Sequence, residues 1–151
     1  MPVEPLTLLL PPWLVERFDL ARVLAQTGRW SWSEGYRLLE RFDVSGPERG
    51  FVQVVLARRR NLWLFRCNQR CACGDFLAVD MSPPAPGDRA VVAIELKAGE
   101  PLALGGARLQ LARAPEAVRE LVATGVVGAG AALAQVFGDP AAVLAHLGVA
   151  S

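Results

Sequence analysis

Fifteen of the sixteen basic residues in this 151-residue chain are arginine, and the exception, Lys97, stands in the apolar run Val91-Val92-Ala93-Ile94-Glu95-Leu96-Lys97. An ammonium is a compact point charge that gives up its proton when its surroundings demand it; a guanidinium stays charged. Period-two alternation puts Glu95 and Lys97 on one face of a strand and Leu96 on the other. Genomic base composition is a second source of the arginine excess, and a plain ion pair at a sheet edge is the alternative to a chemical role. The loop signals in Ser82-Pro83-Pro84-Ala85-Pro86-Gly87-Asp88 set a hairpin register. Val79 then opposes Val91, Leu77 opposes Ala93, and Asp75 opposes Glu95. Asp75, Glu95 and Lys97 are expected on one face, at one end of the sheet. Asp80, the rival carboxylate, falls at the far end on the opposite face. Two carboxylates hold Mg²⁺ or Mn²⁺ together with waters. Such a metal polarises a phosphate oxygen and acidifies bound water, while a lysine orients or deprotonates that water and offsets developing charge.

The elements around these residues follow from periodicity and punctuation. Trp13 to Gln26 carries apolar residues at helical spacing, and Ser31 or Ser33 is a candidate cap for a second helix through Phe42. Ser45-Gly46-Pro47-Glu48 is a capping box with Pro in the first turn, predicting a helix over 46–59, although Phe51 to Val55 also suits a strand. Strands are expected at 62–65, 76–79 and 89–97, with a turn over 67–74 and a stop at 98–101. Leu104-Gly105-Gly106 reads as a loop. Pro115 to Val122 reads as a helix, Gly125 to Gly130 as a loop or short last strand, and 131–137 and 140–147 as apolar helices, the latter capped by Asp139. The expected fold is α+β, an α/β/α sandwich: helices, a three-to-four-stranded mixed sheet, then helices. One domain is expected over 1–151, with a helical extension (1–45), a core (46–125) and apolar C-terminal helices (126–151).

Cys67, Cys71 and Cys73 read Cys-x-x-x-Cys-x-Cys, an irregular zinc spacing with three ligands where structural sites use four. The alternative is small thiols packing a tight turn. The lone histidine, His146, is expected at a helix end. Arg58, Arg59, Arg60 and Arg70, with Arg66, make a basic group interleaved with Trp63 and Phe65 that suits a nucleic-acid backbone; cations completing a helix C-terminus are the alternative. The tryptophans Trp13, Trp30, Trp32 and Trp63 are expected mainly in the core. No Gly-x-Ser-x-Gly elbow or P-loop lysine is present. A net charge of +1 gives no global steering toward nucleic acid or anionic lipid. No stretch reaches the ~18 apolar residues of a membrane span, the start makes a poor secretory signal, and three cysteines predict a reduced, cytoplasmic protein.

Gly74-Asp75-Phe76-Leu77-Ala78 followed by Val91 to Lys97 resembles the PD-(D/E)xK, or restriction-endonuclease-like, nuclease superfamily, and especially its resolvase-like branch. The pattern is a helix, a strand, an Asp-led strand and a strand ending in Glu-x-Lys, matched here over about 46–125. Gly74 stands where the pattern has proline, and no tyrosine follows Gln110. The resemblance implies a restriction-endonuclease-like fold, Mg or Mn held by Asp75 and Glu95, Lys97 as catalytic lysine, Glu48 as a further acid on the first helix, and DNA hydrolysis. Two other readings remain: an inactive nuclease-fold accessory subunit, using the apolar 126–147 segment against a protein partner or a second copy, and a small zinc-stabilised binding domain.

Overall fold

A computed structural model of the chain describes residues 6–10, 31–34, 46–59, 61–67, 75–108 and 116–149. In chain order its elements are β1 (Leu6–Leu10), β2 (Ser31–Glu34), α1 (Gly46–Arg58), β3 (Leu62–Cys67), β4 (Phe76–Asp80), a 3₁₀ turn (Pro86–Asp88), β5 (Val91–Leu96), β6 (Ala103–Arg108), α2 (Glu116–Ala123), β7 (Ala132–Gly138) and α3 (Pro140–His146). The seven strands form one mixed sheet in the order β2-β1-β3-β4-β5-β7-β6. β3, β4 and β5 are an antiparallel meander, and β5 then pairs in parallel with β7. That parallel step needs a crossover, which runs through β6 and α2.

Helices cover both faces, and alternation along the strands sorts the core into two layers. Phe65, Leu77, Val79, Val91 and Ala93 pack under Ala117, Val118 and Leu121 of α2. Leu64, Phe76, Ala78, Ile94 and Val136 pack under Phe51, Val52 and Val55 of α1 and Val143 of α3. β4 is buried on both faces over Phe76 to Val79, the pattern of a central strand. Trp63 is half-buried against the α2 layer, its ring centroid 6.4 Å from that of Phe65, so it is a packing residue. The 82–88 loop is held by Arg89, whose guanidinium donates to the carbonyls of Pro83 (2.8 Å) and Val126 (3.0 Å). No helix among the described residues is long and apolar enough to cross a membrane.

The α/β/α layering expected from sequence is present, as are α1, the β3–β5 meander, α2 and the Asp139-capped α3, in which the Asp139 carboxylate accepts from Ala141 N–H at 3.1 Å. Five expectations are corrected. Among the described residues the sheet has seven strands rather than three or four, because the segment read as a helical extension contributes β1 and β2 and the chain after β5 contributes β6 and β7. Ser31 to Glu34 pairs in parallel with β1 instead of opening a helix; the helix expected over 13–26 lies outside the described residues. Leu104-Gly105-Gly106 is edge strand, not loop. A Cβ at Gly106 would lie 3.1 Å from the Leu133 carbonyl oxygen, so glycine is what allows this approach. Where a helix was expected over 131–137 the chain forms the interior strand β7, Ala132–Gly138, and Gly125 (φ 78°) closes the turn after α2 instead of starting a strand. The β7 sequence, Ala-Leu-Ala-Gln-Val-Phe-Gly, lacks the polar alternation that marks a strand, and its helix-favouring Ala and Leu suit a helix equally well.

Candidate functional site

The meander sets the site. Leu77 pairs with Ala93 and Val79 with Val91, the register expected from the loop. Asp75 lies one residue before β4, and there the ladder changes form. Asp75 N–H donates to the Ile94 carbonyl at 2.8 Å, and Leu96 N–H donates to Asp75 Oδ2 at 3.0 Å. A side-chain carboxylate thus stands in for the next main-chain acceptor and closes the β4–β5 ladder. Glu95 follows Val91 and Ala93 on the α2 face and is half-buried. Lys97 is exposed at the end of the same alternation. Its backbone N–H donates to the Gly138 carbonyl at 2.7 Å, and its Nζ lies 5.8 Å from the centroid of the Phe137 ring. Phe137 pairs in register with Glu95, so the ring occupies the same face, one strand over. Asp75, Glu95 and Lys97 therefore lie at one end of the sheet, but the expected Asp75–Glu95 pair does not form: the regular ladder ends at Phe76–Ile94, and Asp75 N–H turns to the Ile94 carbonyl. Asp80 is at the other end, where its carboxylate takes Ser82 N–H at 2.9 Å. The Ser82 hydroxyl and N–H, aided by Arg59, hold its carboxyl below the usual range.

Cys67 adjoins this end: its N–H donates to the Asp75 carbonyl at 3.1 Å. Burial first, and then the Asp75 carboxylate, push its thiol from 9.0 up to about 12 against an opposing pull from Arg66. Cys71 and Cys73 lie outside the described residues, and no group of three or more His, Cys, Asp or Glu side chains disposed for a metal occurs among the described residues. His146 is exposed on the last turn of α3, as expected for a helix-end residue.

Among the described arginines of the predicted basic group, Arg58 and Arg59 lie away from the carboxylates. Arg58 and Arg59 follow from the C-terminal turn of α1, at the Asp80 end, with Leu62 N–H donating to the Arg59 carbonyl at 3.2 Å. The five residues from Asp75 to Asp80 separate the two ends by about 17 Å at roughly 3.3 Å per residue. The Arg59 guanidinium donates to the Leu147 carbonyl, joining the ends of α1 and α3. Arg66 pairs with Phe76 at the Asp75 end, while Arg60 and Arg70 lie outside the described residues. Glu48 is in the first turn of α1, whose packing face is opposite to that of Glu95.

Sequence reasoning missed the three residues that meet Lys97 and its turn: Phe137, Gly138 and Asp139. Asp139 Oδ1 accepts from Gly99 N–H at 3.0 Å while Oδ2 caps α3. Glu100 N–H closes a turn onto the Lys97 carbonyl at 3.0 Å, with Gly99 at φ 77° supplying the left-handed position. The signal available in sequence was Gly138-Asp139-Pro140, a strand end followed by a helix cap. Gly138 has φ 147°, and a Cβ there would come within 3.1 Å of the Leu102 Cα, so only glycine lets the 101–102 segment cross. No family model matches this chain, and neither the curated proteins nor the solved structures compared with it include a match.

Proposed function

We propose that this protein is a metal-dependent nuclease of the restriction-endonuclease-like type that hydrolyses DNA phosphodiester bonds. Asp75 and Glu95 are its metal ligands and Lys97 its catalytic lysine. One observation carries the reading: the β4–β5 register draws an aspartate at the start of one strand and a Glu-x-Lys at the end of its neighbour to the same end of the sheet. The succession of α1, β3, β4, β5, then the edge strand β6, α2 and β7, with helices on both faces, agrees with it apart from the added β6.

The donor chemistry fits Mg²⁺ or Mn²⁺. Both carboxylates are hard oxygen donors from adjacent strands. Asp75 spends one acceptor position of Oδ2 on Leu96 N–H, and a carboxylate offers about four over its two oxygens. A bound divalent ion supplies Lewis-acid polarisation of the phosphate and a more acidic water. Lys97 contributes three N–H donors at an exposed strand end, where they orient the attacking water and offset charge growing on the phosphate oxygens.

Purified protein with Mn²⁺ is expected to cleave plasmid and linear DNA, and Lys97→Ala to abolish cleavage with unchanged circular dichroism. Cleavage at the wild-type rate by Lys97→Ala rejects the assignment. One observation favours a second reading, an inactive nuclease-fold subunit: the Asp75 carboxylate has a structural task in closing the β4–β5 ladder. A wild-type protein that binds a partner, cleaves nothing with Mn²⁺ or Mg²⁺, and keeps its partner in Glu95→Ala establishes that reading instead.

A further inference from the structure

We propose that Phe137 is a positioning residue for Lys97, holding its ammonium on the Glu95 face while leaving its N–H donors for an anionic ligand. The functional consequence rests on the reading of Lys97 as the catalytic lysine; the contact itself does not. Lysine is long and flexible, and at an exposed strand end its head group ranges widely unless something holds it. Three successive residues at the end of β7 meet the Lys97 turn. The Phe137 ring lies 5.8 Å from Nζ. The Gly138 carbonyl takes the Lys97 N–H at 2.7 Å. The Asp139 carboxylate takes Gly99 N–H at 3.0 Å, fixing the turn that follows. The backbone of Lys97 is thus fixed on two sides, and the ring determines where the head goes.

The chemistry of the holder matters. A carboxylate at position 137 would neutralise the ammonium and take up its protons in hydrogen bonds. An aromatic face attracts the same cation through its quadrupole and has no lone pair to occupy those protons. Because Phe137 is in register with Glu95, the ring that holds the head group stands on the neighbouring strand, about one strand spacing, roughly 4.8 Å, from Glu95 along the backbone. The donors are therefore available where a phosphate oxygen has to bind.

The chain's single lysine makes this directly observable. Protein labelled with ¹³C,¹⁵N-lysine gives one set of side-chain resonances. The Lys97 methylene protons near Nζ are expected to be shifted upfield by the ring current and to show an NOE to the Phe137 ring. The upfield shift should disappear in Phe137→Leu and persist in Phe137→Trp. In Mn²⁺-dependent cleavage, Phe137→Leu should lower kcat by about fivefold at unchanged KM, the scale of an exposed cation–π contact, and Phe137→Trp should restore it. Random-coil lysine shifts in the wild-type protein, which require no variant to fold, overturn the proposal, as does a Phe137→Leu protein that retains the upfield shift. Cleavage that survives Lys97→Ala sinks the functional reading while leaving the ring contact standing, so the two failures are told apart.

Discussion

Asp75 is assigned two tasks, and two substitutions separate them. Asp75→Ala deletes the acceptor of the half-buried Leu96 N–H, a 3.0 Å bond to Oδ2. An orphaned buried donor costs about 1–3 kcal/mol; because water reaches this strand end, the lower part, about 1–2 kcal/mol, is expected. For a chain of this length that lowers Tm by roughly 3–6 °C. Asp75→Asn keeps an sp² oxygen in nearly the same place and can still accept from Leu96 N–H, so its loss should stay within about 0.5 kcal/mol. The amide is a poor ligand for a hard divalent ion and lacks the charge. Loss of outer-shell partners alone costs about 10- to 100-fold in metal affinity or activity, so loss of a direct ligand should cost at least about 100-fold, in both variants alike. Urea unfolding followed by tryptophan fluorescence reads the first quantity, and Mn²⁺-dependent cleavage the second. Two results refute the reasoning: an Asp75→Asn enzyme with wild-type turnover, which removes Asp75 from the metal site, and equal destabilisation by Ala and Asn, which removes the hydrogen bond from the stability argument.

Cys67 has its thiol pushed up to about 12 from 9.0, so its contribution is complete below pH 9 and declines as the pH rises from 9 toward 12, where the unfolded chain ionises and the folded one does not. Linkage puts the loss near about 2 kcal/mol at about pH 10.5. Urea melts at pH 8 and at about pH 10.5 should show this extra alkaline loss in the wild type and not in Cys67→Ala; equal losses contradict it. Asp139→Ala removes both the α3 cap and the Gly99 tie, and is expected to cost about 1–2 kcal/mol. Asp139→Asn should recover only about half of that, because its single amide oxygen can accept from Gly99 or Ala141 N–H but not from both; an Ala variant as stable as wild type in a thermal melt would show that neither bond contributes.

The meander was legible because its signals are local. A proline-rich loop, two short apolar runs and period-two alternation set the β4–β5 register from Phe76 to Val79, and with it the placing of Asp75 and Glu95 at one end of the sheet; the irregular step at Asp75, whose N–H turns to Ile94, was not legible. The same logic set Asp80 at the opposite end. What could not be read was set by long-range pairing. Leu6 to Leu10 became a strand only through its neighbours β2 and β3, and Ser31 to Glu34 carries polar residues that suit a helix cap as well as an edge strand. The arginines misled in a different way. Arg58 and Arg59 are close in sequence to Arg66, yet β3 runs between them and carries Arg66 to the other end of the sheet, and Arg59 turns toward the Leu147 carbonyl.

The misread β7 has the largest consequence, because it hid the surroundings of the one residue the sequence made conspicuous. With 131–137 taken as helix, Phe137 has no reason to be near Lys97; the parallel β5–β7 pairing makes it the in-register neighbour of Glu95. Parallel pairing joins segments that here lie some forty residues apart, with an edge strand and a helix between, so no local pattern announces it. The opening contrast between one lysine and fifteen arginines then takes a physical form. A guanidinium stacks flat on an aromatic ring and presents its donors sideways in a rigid fork. An ammonium over the same ring keeps its donors on a rotatable head, able to follow a phosphate as its charge and geometry change. On this argument Lys97→Arg fills the same space above Phe137 and still fails to support cleavage.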